Sequence, residues 1–315
     1  MSDAPQSSGH APFAVRPRWW WLAPGLVLAV VLYYAVGMRL AHVVDADPDF
    51  APGPVAAGQS RAAAMAAQLI FREVDRHRWV ANDPFFQPSA VLDDMPAFQI
   101  GMVGAIERFA RTLDGLAADA GGGPDANLAR AAGLLKYPGR VWMFDPRTSW
   151  APTASSEKQY RSAARDLVLF NDRLQAGEAR FERSPEALAA LLAAARDDLD
   201  ALAETAHAHS EAVSWPLFDG DADDLFFAAR GRAYAWSLLL RELGWDFAPL
   251  LAQRDLGSEW GAMLDSLRAA ARLDPVAVFA ARPDATFLPS HLAGQGFLLL
   301  RARAQTADLA AALSR

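Results

Sequence analysis

The chain has 315 residues, 52% of them hydrophobic and 21% charged, with a formal charge of -7 and no cysteine. That length supports one large domain or two modest ones, and the mix excludes a disordered chain or a collagen-like fibre. The acidic balance argues against nucleic acid as the main partner, because phosphate binding needs a basic face. Without cysteine there is no disulfide, thiolate nucleophile or cysteine-ligated metal.

Residues 1–18 form a short arm, and residues 19–38 (WWWLAPGLVLAVVLYYAVGM) carry no charge. A hydrocarbon core of about 30 Å takes roughly 20 helical residues, so this run predicts a single transmembrane helix with the lipid bilayer as partner. Trp19, Trp20 and Trp21 mark one interface, and Tyr33 and Tyr34 lie toward the other. Pro24 falls in the first turns, where a missing backbone donor does least harm. The rival reading is a cleaved secretory signal, whose apolar region is about 7–15 residues and ends at a small-x-small site. Here the run is longer and Arg39-Leu40-Ala41-His42 follows it, so it reads as an uncleaved signal anchor. Gly25 and Ala29 make a small-x-x-x-small pair, the kind through which two anchors pack as a homodimer.

Arg16 and Arg18 precede the run, whereas Arg39 and then Asp45, Asp47 and Asp49 follow it. Positive flanks stay cytoplasmic, which puts the N-terminus inside and the body outside. Only two of the 30 basic residues are lysine, and alanine is abundant, a bias typical of a GC-rich bacterial genome. The membrane is then the bacterial inner membrane and the outside compartment the periplasm. Residues 1–44 carry Arg16, Arg18 and Arg39 against Asp3, so the formal -7 of the whole chain becomes -9 for the remainder. Such a body is poorly suited to lie flat on an anionic leaflet.

Residues 39–58, rich in proline, glycine and aspartate, read as a flexible stem. Helical periodicity fills most of residues 59–315: about 59–79, then 89 or 95 to 118, 126–135, and 156–183. Ser156 and Gln159 match a capping box at the start of the last of these. Ser184-Pro185-Glu186 opens the next helix, running to about residue 213 and paired with its predecessor as a long antiparallel hairpin. Further helices are expected over about 221–243, 258–272, 274–281 and 289–313. Residues 140–144 are the only strand-like run. The fold class is all-α: one N-terminal transmembrane helix, then a helical-bundle-like domain with one long irregular crossover segment.

That segment, residues 136–160 (KYPGRVWMFDPRTSWAPTASSEKQY), is the candidate site. It holds both lysines, Lys136 and Lys158, with Tyr137 and Tyr160, and irregular stretches of this length inside a domain are often functional. One reading is a docking segment carrying Arg140, Trp142, Asp145, Arg147, Trp150, Glu157 and Lys158. The other is a strap whose aromatic side chains plug the core.

Weaker patterns also occur. Ser155 and Lys158 match the S-x-x-K nucleophile motif of penicillin-binding proteins, but K-T-G and S-D-N are absent. Glu204, His207 and Glu211 look like half of a di-metal site, with Glu73 and His77 the nearest substitute for the missing half. A solvated helix face explains the first set more simply. Asp219, Asp221 and Asp223 mimic the opening of a calcium loop, yet Asp224 and Arg230 stand where glycine and glutamate are required. Helix capping accounts for them better. No cofactor or metal is expected.

Asn82-Asp83-Pro84-Phe85-Phe86, Leu92-Asp93-Asp94-Met95-Pro96, Gly133-Leu134-Leu135-Lys136-Tyr137-Pro138-Gly139, Val141-Trp142 and residues 149–160 resemble a proteobacterial family of membrane-anchored proteins catalogued only as a domain of unknown function. The resemblance implies a single-pass membrane protein and supplies no activity. The expectation is a non-enzymatic envelope adaptor or scaffold with a protein partner. The alternatives are a cell-envelope hydrolase or transferase built around residues 136–160, and a helical module binding a small ligand or lipid.

Overall fold

The computed structural model describes residues 22–119, 123–144, 150–212, 220–275, 278–279 and 290–315. Among them are ten α-helices and no strand. Helix α1 (Leu22–Ala41) has no buried residue and is long and apolar enough to cross a membrane. Trp19, Trp20 and Trp21 lie outside the described residues.

The body is centred on α3 (Asp94–Ala117) and α7 (Gly220–Asp246), which pack along one another. Their approach is close because of two glycines. A methyl group built on Gly101 would run into the Ala228 carbonyl, and one on Gly231 into that of Phe98. Helix α2 (Arg61–Phe71) lies on α7 and on α5 (Ser156–Ala176), and α4 (Ala126–Leu135) bridges α3 and α5. On the far side, α6 (Pro185–Ala212) packs on α10 (His291–Leu313) and α3, with α8 (Ala248–Gln253) and α9 (Gly257–Arg272) completing that layer. Buried Asp198 of α6 ties these layers together, accepting from Arg232 and from Trp236 Nε1 at 2.8 Å.

Helix α2 shows how distant residues finish local structure. Ser60 caps it by accepting from Ala63 N. Asp246, at the end of α7, accepts from Ser60 Oγ, Arg61 N and Ala62 N at 2.7, 2.8 and 3.1 Å. The carboxylate fills the helix N-terminus, where unpaired donors and the positive dipole end favour an anion. After Phe71 the helix widens into a π-turn over Arg72–Arg76.

Five expectations change. Residues 45–50 are not a flexible stem: Arg72 Nη2 donates to Asp45 O (3.0 Å), Tyr234 Oη to Asp47 O (2.8 Å), and Arg241 to Pro48 O and Phe50 O (both 2.6 Å). The expected α5–α6 hairpin does not form. Helix α5 stops at Gly177 in the left-handed region (φ 75°), seven residues early, and the following chain carries Phe181 onto Phe247. The two helices consequently pack on different partners. The capping box is not made, because the cap position is Ser155 and the Ser156 hydroxyl bonds Pro138 O and Val141 instead. Residues 274, 275, 278 and 279 are not helical. Residues 140–144 form no strand; two backbone bonds, Thr153 N to Met143 O (2.8 Å) and Ser156 N to Val141 O (3.0 Å), fold this run back on residues 153–156.

Substituting Gly231→Ala should lower stability by about 1–3 kcal/mol through overpacking, read as a reduced denaturation midpoint. Arg241→Ala should release the stem, and amide exchange over residues 45–50 should accelerate while that of α3 stays slow.

Candidate functional site

The crossover segment leaves α4 at Lys136 and reaches α5 at Ser156. Asp145 and Arg147 lie outside the described residues. Its base is locked. Trp79 Nε1 donates to Gly139 O (2.8 Å), and Asn82 Nδ2 to both Val141 O (2.8 Å) and Glu157 Oε2 (2.6 Å). Tyr137 Oη donates to Ala154 O (2.8 Å), and Tyr160 Oη to Tyr137 O. Tyr160 is buried edge-on to Trp79, the ring centroids 4.8 Å apart. For this half the strap reading holds: the aromatic side chains plug the core.

The other half does not pack inward. Trp142 is half-buried, with Phe86 and Phe144 at its edges (5.9 and 5.5 Å). Met143 and Phe144 are exposed, and Trp150 is 91% exposed. Phe85 and Phe86, 84% and 48% exposed, continue the same aromatic surface from the loop between Pro84 and Pro88. Sequence reasoning missed these two. The available signal was a pair of large aromatics between prolines in an otherwise polar loop.

The polar residues are drawn apart. Arg140 pairs with Asp224 (3.6 Å) rather than with Glu157, which Asn82 holds, and Lys158 is exposed. Ser155 is buried and its side chain makes no cap bond. Glu157 and Arg140 therefore do not converge on a common point where a reacting group would sit. Elsewhere, Glu204, His207 and Glu211 form an exposed helix face, with His207 3.7 Å from Glu211. Glu73, paired with His77 at 3.1 Å, is taken by Arg72 Nε (2.9 Å) and Gln99 Nε2 (3.2 Å). A concavity of about 430 Å³ at the end of α7 is lined by Trp245, Leu251, Trp260 and Leu264. There the Trp260 Nε1 packs against Gly244, where an added Cβ would fall 2.7 Å away.

Behind Arg140 three carboxylates meet. Asp93 and Asp94 open α3, Asp223 stands in the first turn of α7, and one oxygen from each lies within 4.8 Å of the others. Asp219 lies outside the described residues. These are the residues nearest to a cation-binding set, but a proton serves the same end. Burial first, then the charges of Asp94, Asp93 and Asp224, push the Asp223 carboxyl up to about 7, and it shares a hydrogen bond with Asp94. Burial also raises Asp94 and Asp224, the latter held back by Arg140.

No family model, curated protein or solved structure matches the chain.

The folded state holds the Asp223 proton more tightly than the unfolded chain. Stability therefore falls as pH rises from the ordinary aspartate value of 3.8 through about 7. Asp223→Asn should flatten that fall, seen as melting temperatures that converge below about pH 4 and exceed the parent at about pH 8. An undiminished fall in the variant would reject the shared proton.

Proposed function

We propose that the chain is a single-pass protein of the bacterial inner membrane, with its N-terminus cytoplasmic and a periplasmic helical body acting as a non-enzymatic adaptor. The anchor reading is supported by a 20-residue apolar helix, charged only at Arg39 in its last turn, with no residue buried in the body. The orientation is supported by Arg16 and Arg18 before it against Asp45, Asp47 and Asp49 after it. The resemblance to a membrane-anchored family agrees with the anchor reading.

One observation carries the adaptor reading: Trp150 stands 91% exposed within a segment whose base is hydrogen-bonded into the core. A large aromatic in the same segment as the exposed cations Arg140 and Lys158 has the make-up of an interface anchor. The support matters because a preorganised loop loses little freedom on binding. The engaged state of Ser156, Glu157 and Arg140 favours recognition over chemistry here.

A photo-crosslinking amino acid placed at position 150 should capture one protein species in native membranes, and Lys158→Glu should reduce the adduct several-fold. Adducts with lipid alone, or a capture insensitive to Lys158→Glu, would overturn the adaptor reading.

A further inference from the structure

Helix α1 and the body meet at the loop of residues 84–91. Tyr34 Oη donates to the carbonyl of Phe85 (2.7 Å), and Tyr33 Oη to that of Phe86 (3.1 Å). Two residues on, the Pro88 ring fills the space left by the missing side chain of Gly37. Tyr33 and Tyr34 precede Met38, the end of the uncharged run, by five and four residues. At about 1.5 Å per residue, the donors attach roughly 6–8 Å inside that end. The loop is thus held alongside the apolar helix, below the level at which the helix leaves the hydrocarbon.

Its chemistry suits that depth. Backbone groups within a bilayer need partners inside the protein. The two tyrosine hydroxyls supply them for the Phe85 and Phe86 carbonyls, and turn bonds tie Gln87 N to Pro84 O (2.8 Å) and Ala90 N to Gln87 O (3.1 Å). Pro84 and Pro88 have no N–H to satisfy. What the loop turns outward is apolar: Phe85, Phe86 and Val91 are 84%, 48% and 59% exposed, with Trp142 and Phe144 joining them edge to face. Exposed aromatics in one patch are the composition of a membrane interface belt. Next to this patch, a cleft of about 350 Å³ between Gly37, Leu40 and the body is lined by Arg76, His77 and Arg78. With α1 as a span, Arg76 and Arg78 fall at the level of the lipid phosphates, in a body that carries -9 overall.

We propose that Phe85, Phe86 and Val91, backed by Trp142 and Phe144, form a wedge seated in the leaflet that α1 leaves. The body then rests on the bilayer through a second contact. The occupant is the lipid of the same membrane, and the argument is continuity: the wedge is hydrogen-bonded to the spanning helix at its own depth. It rests on the reading of α1 as a membrane span.

The absence of native cysteine permits a direct test on the full-length chain. Single cysteines would be placed by Phe85→Cys, Val91→Cys, Val30→Cys and Phe297→Cys. The last is an exposed control on α10, which packs on α6 and α9 and not on α1. Each is labelled with an environment-sensitive fluorophore and the protein reconstituted in phosphatidylcholine–phosphatidylglycerol vesicles, with or without phospholipid spin-labelled along its acyl chain. Labels at positions 85 and 91 should shift to the blue and lose most of their emission to the spin-labelled lipid, as at position 30, whereas the label at 297 should not change. Quenching at 30 but not at 85 and 91 overturns the wedge and leaves the anchor standing. A blue shift at 85 that is unquenched and grows with protein density means that a second copy covers the patch, and likewise overturns it. No quenching at 30 removes the span itself, and the wedge with it.

Discussion

A guanidinium with almost no access to water organises this body. Arg72 sits on the π-turn that ends α2, and its side chain is 2% exposed. Burying such a charge is costly unless its donors are all engaged. Here Glu73, Tyr234 and the Asp45 carbonyl engage them, and Phe50 and Tyr234 place rings against the cation at 4.6 and 5.1 Å. Burial opposes the charge, but Glu73, Tyr234 and Asp45 outweigh it, and the pKa of Arg72 is raised. Each partner comes from a different part of the chain: Glu73 from the same turn, Tyr234 from α7, Asp45 and Phe50 from the stretch after α1. Glu73 in turn takes Gln99 of α3. The charge can be satisfied only when these pieces are together, so one buried cation couples the apolar helix to the bundle.

The bundle provides the rigidity this coupling needs. Gly101 and Gly231 bring α3 and α7 to backbone contact, which sets Phe98 beside Tyr234 and aligns Tyr234 with Arg72. The same two helices gather Asp94 and Asp223 at one end, where Asp224 meets Arg140 at the root of the crossover segment. The apolar helix, the stem and the exposed aromatic surface thus share a single frame.

Much of this was legible from residue order, and the exceptions have physical causes. The uncharged run, the all-α class and the helix starts at Ser184-Pro185 and near Asp221 follow from local composition and periodicity. The stem was misread because its proline, glycine and aspartate content describes a chain that cannot order itself. It is ordered by Arg72, Tyr234 and Arg241, the latter two about 190 residues away, and acting on carbonyls that carry no sequence signal. The α5–α6 hairpin fails at Gly177, whose left-handed backbone stops the helix although the apolar rhythm runs on past it. At the candidate site, Arg140, Trp142 and Trp150 stood out by irregularity alone. Phe85 and Phe86 carry only the weak signal of an aromatic pair between prolines, and the tyrosine hydroxyls on α1 that reach their carbonyls are visible only in the fold.

The short distance between the end of α1 and its first tie has a consequence for encounter. Asp45 is bound by Arg72 only four residues after the helix ends at Ala41, so the body has no leash on which to swing. A domain on a free tether sweeps a volume and meets partners in solution in every orientation. Above a membrane crossed by α1, this one would present a single face at a single height. With α1 in a bilayer, its search is confined to the plane of the membrane. A partner held in that same plane arrives by lateral diffusion already at the right level, while one in solution has to descend to the lipid surface to be met.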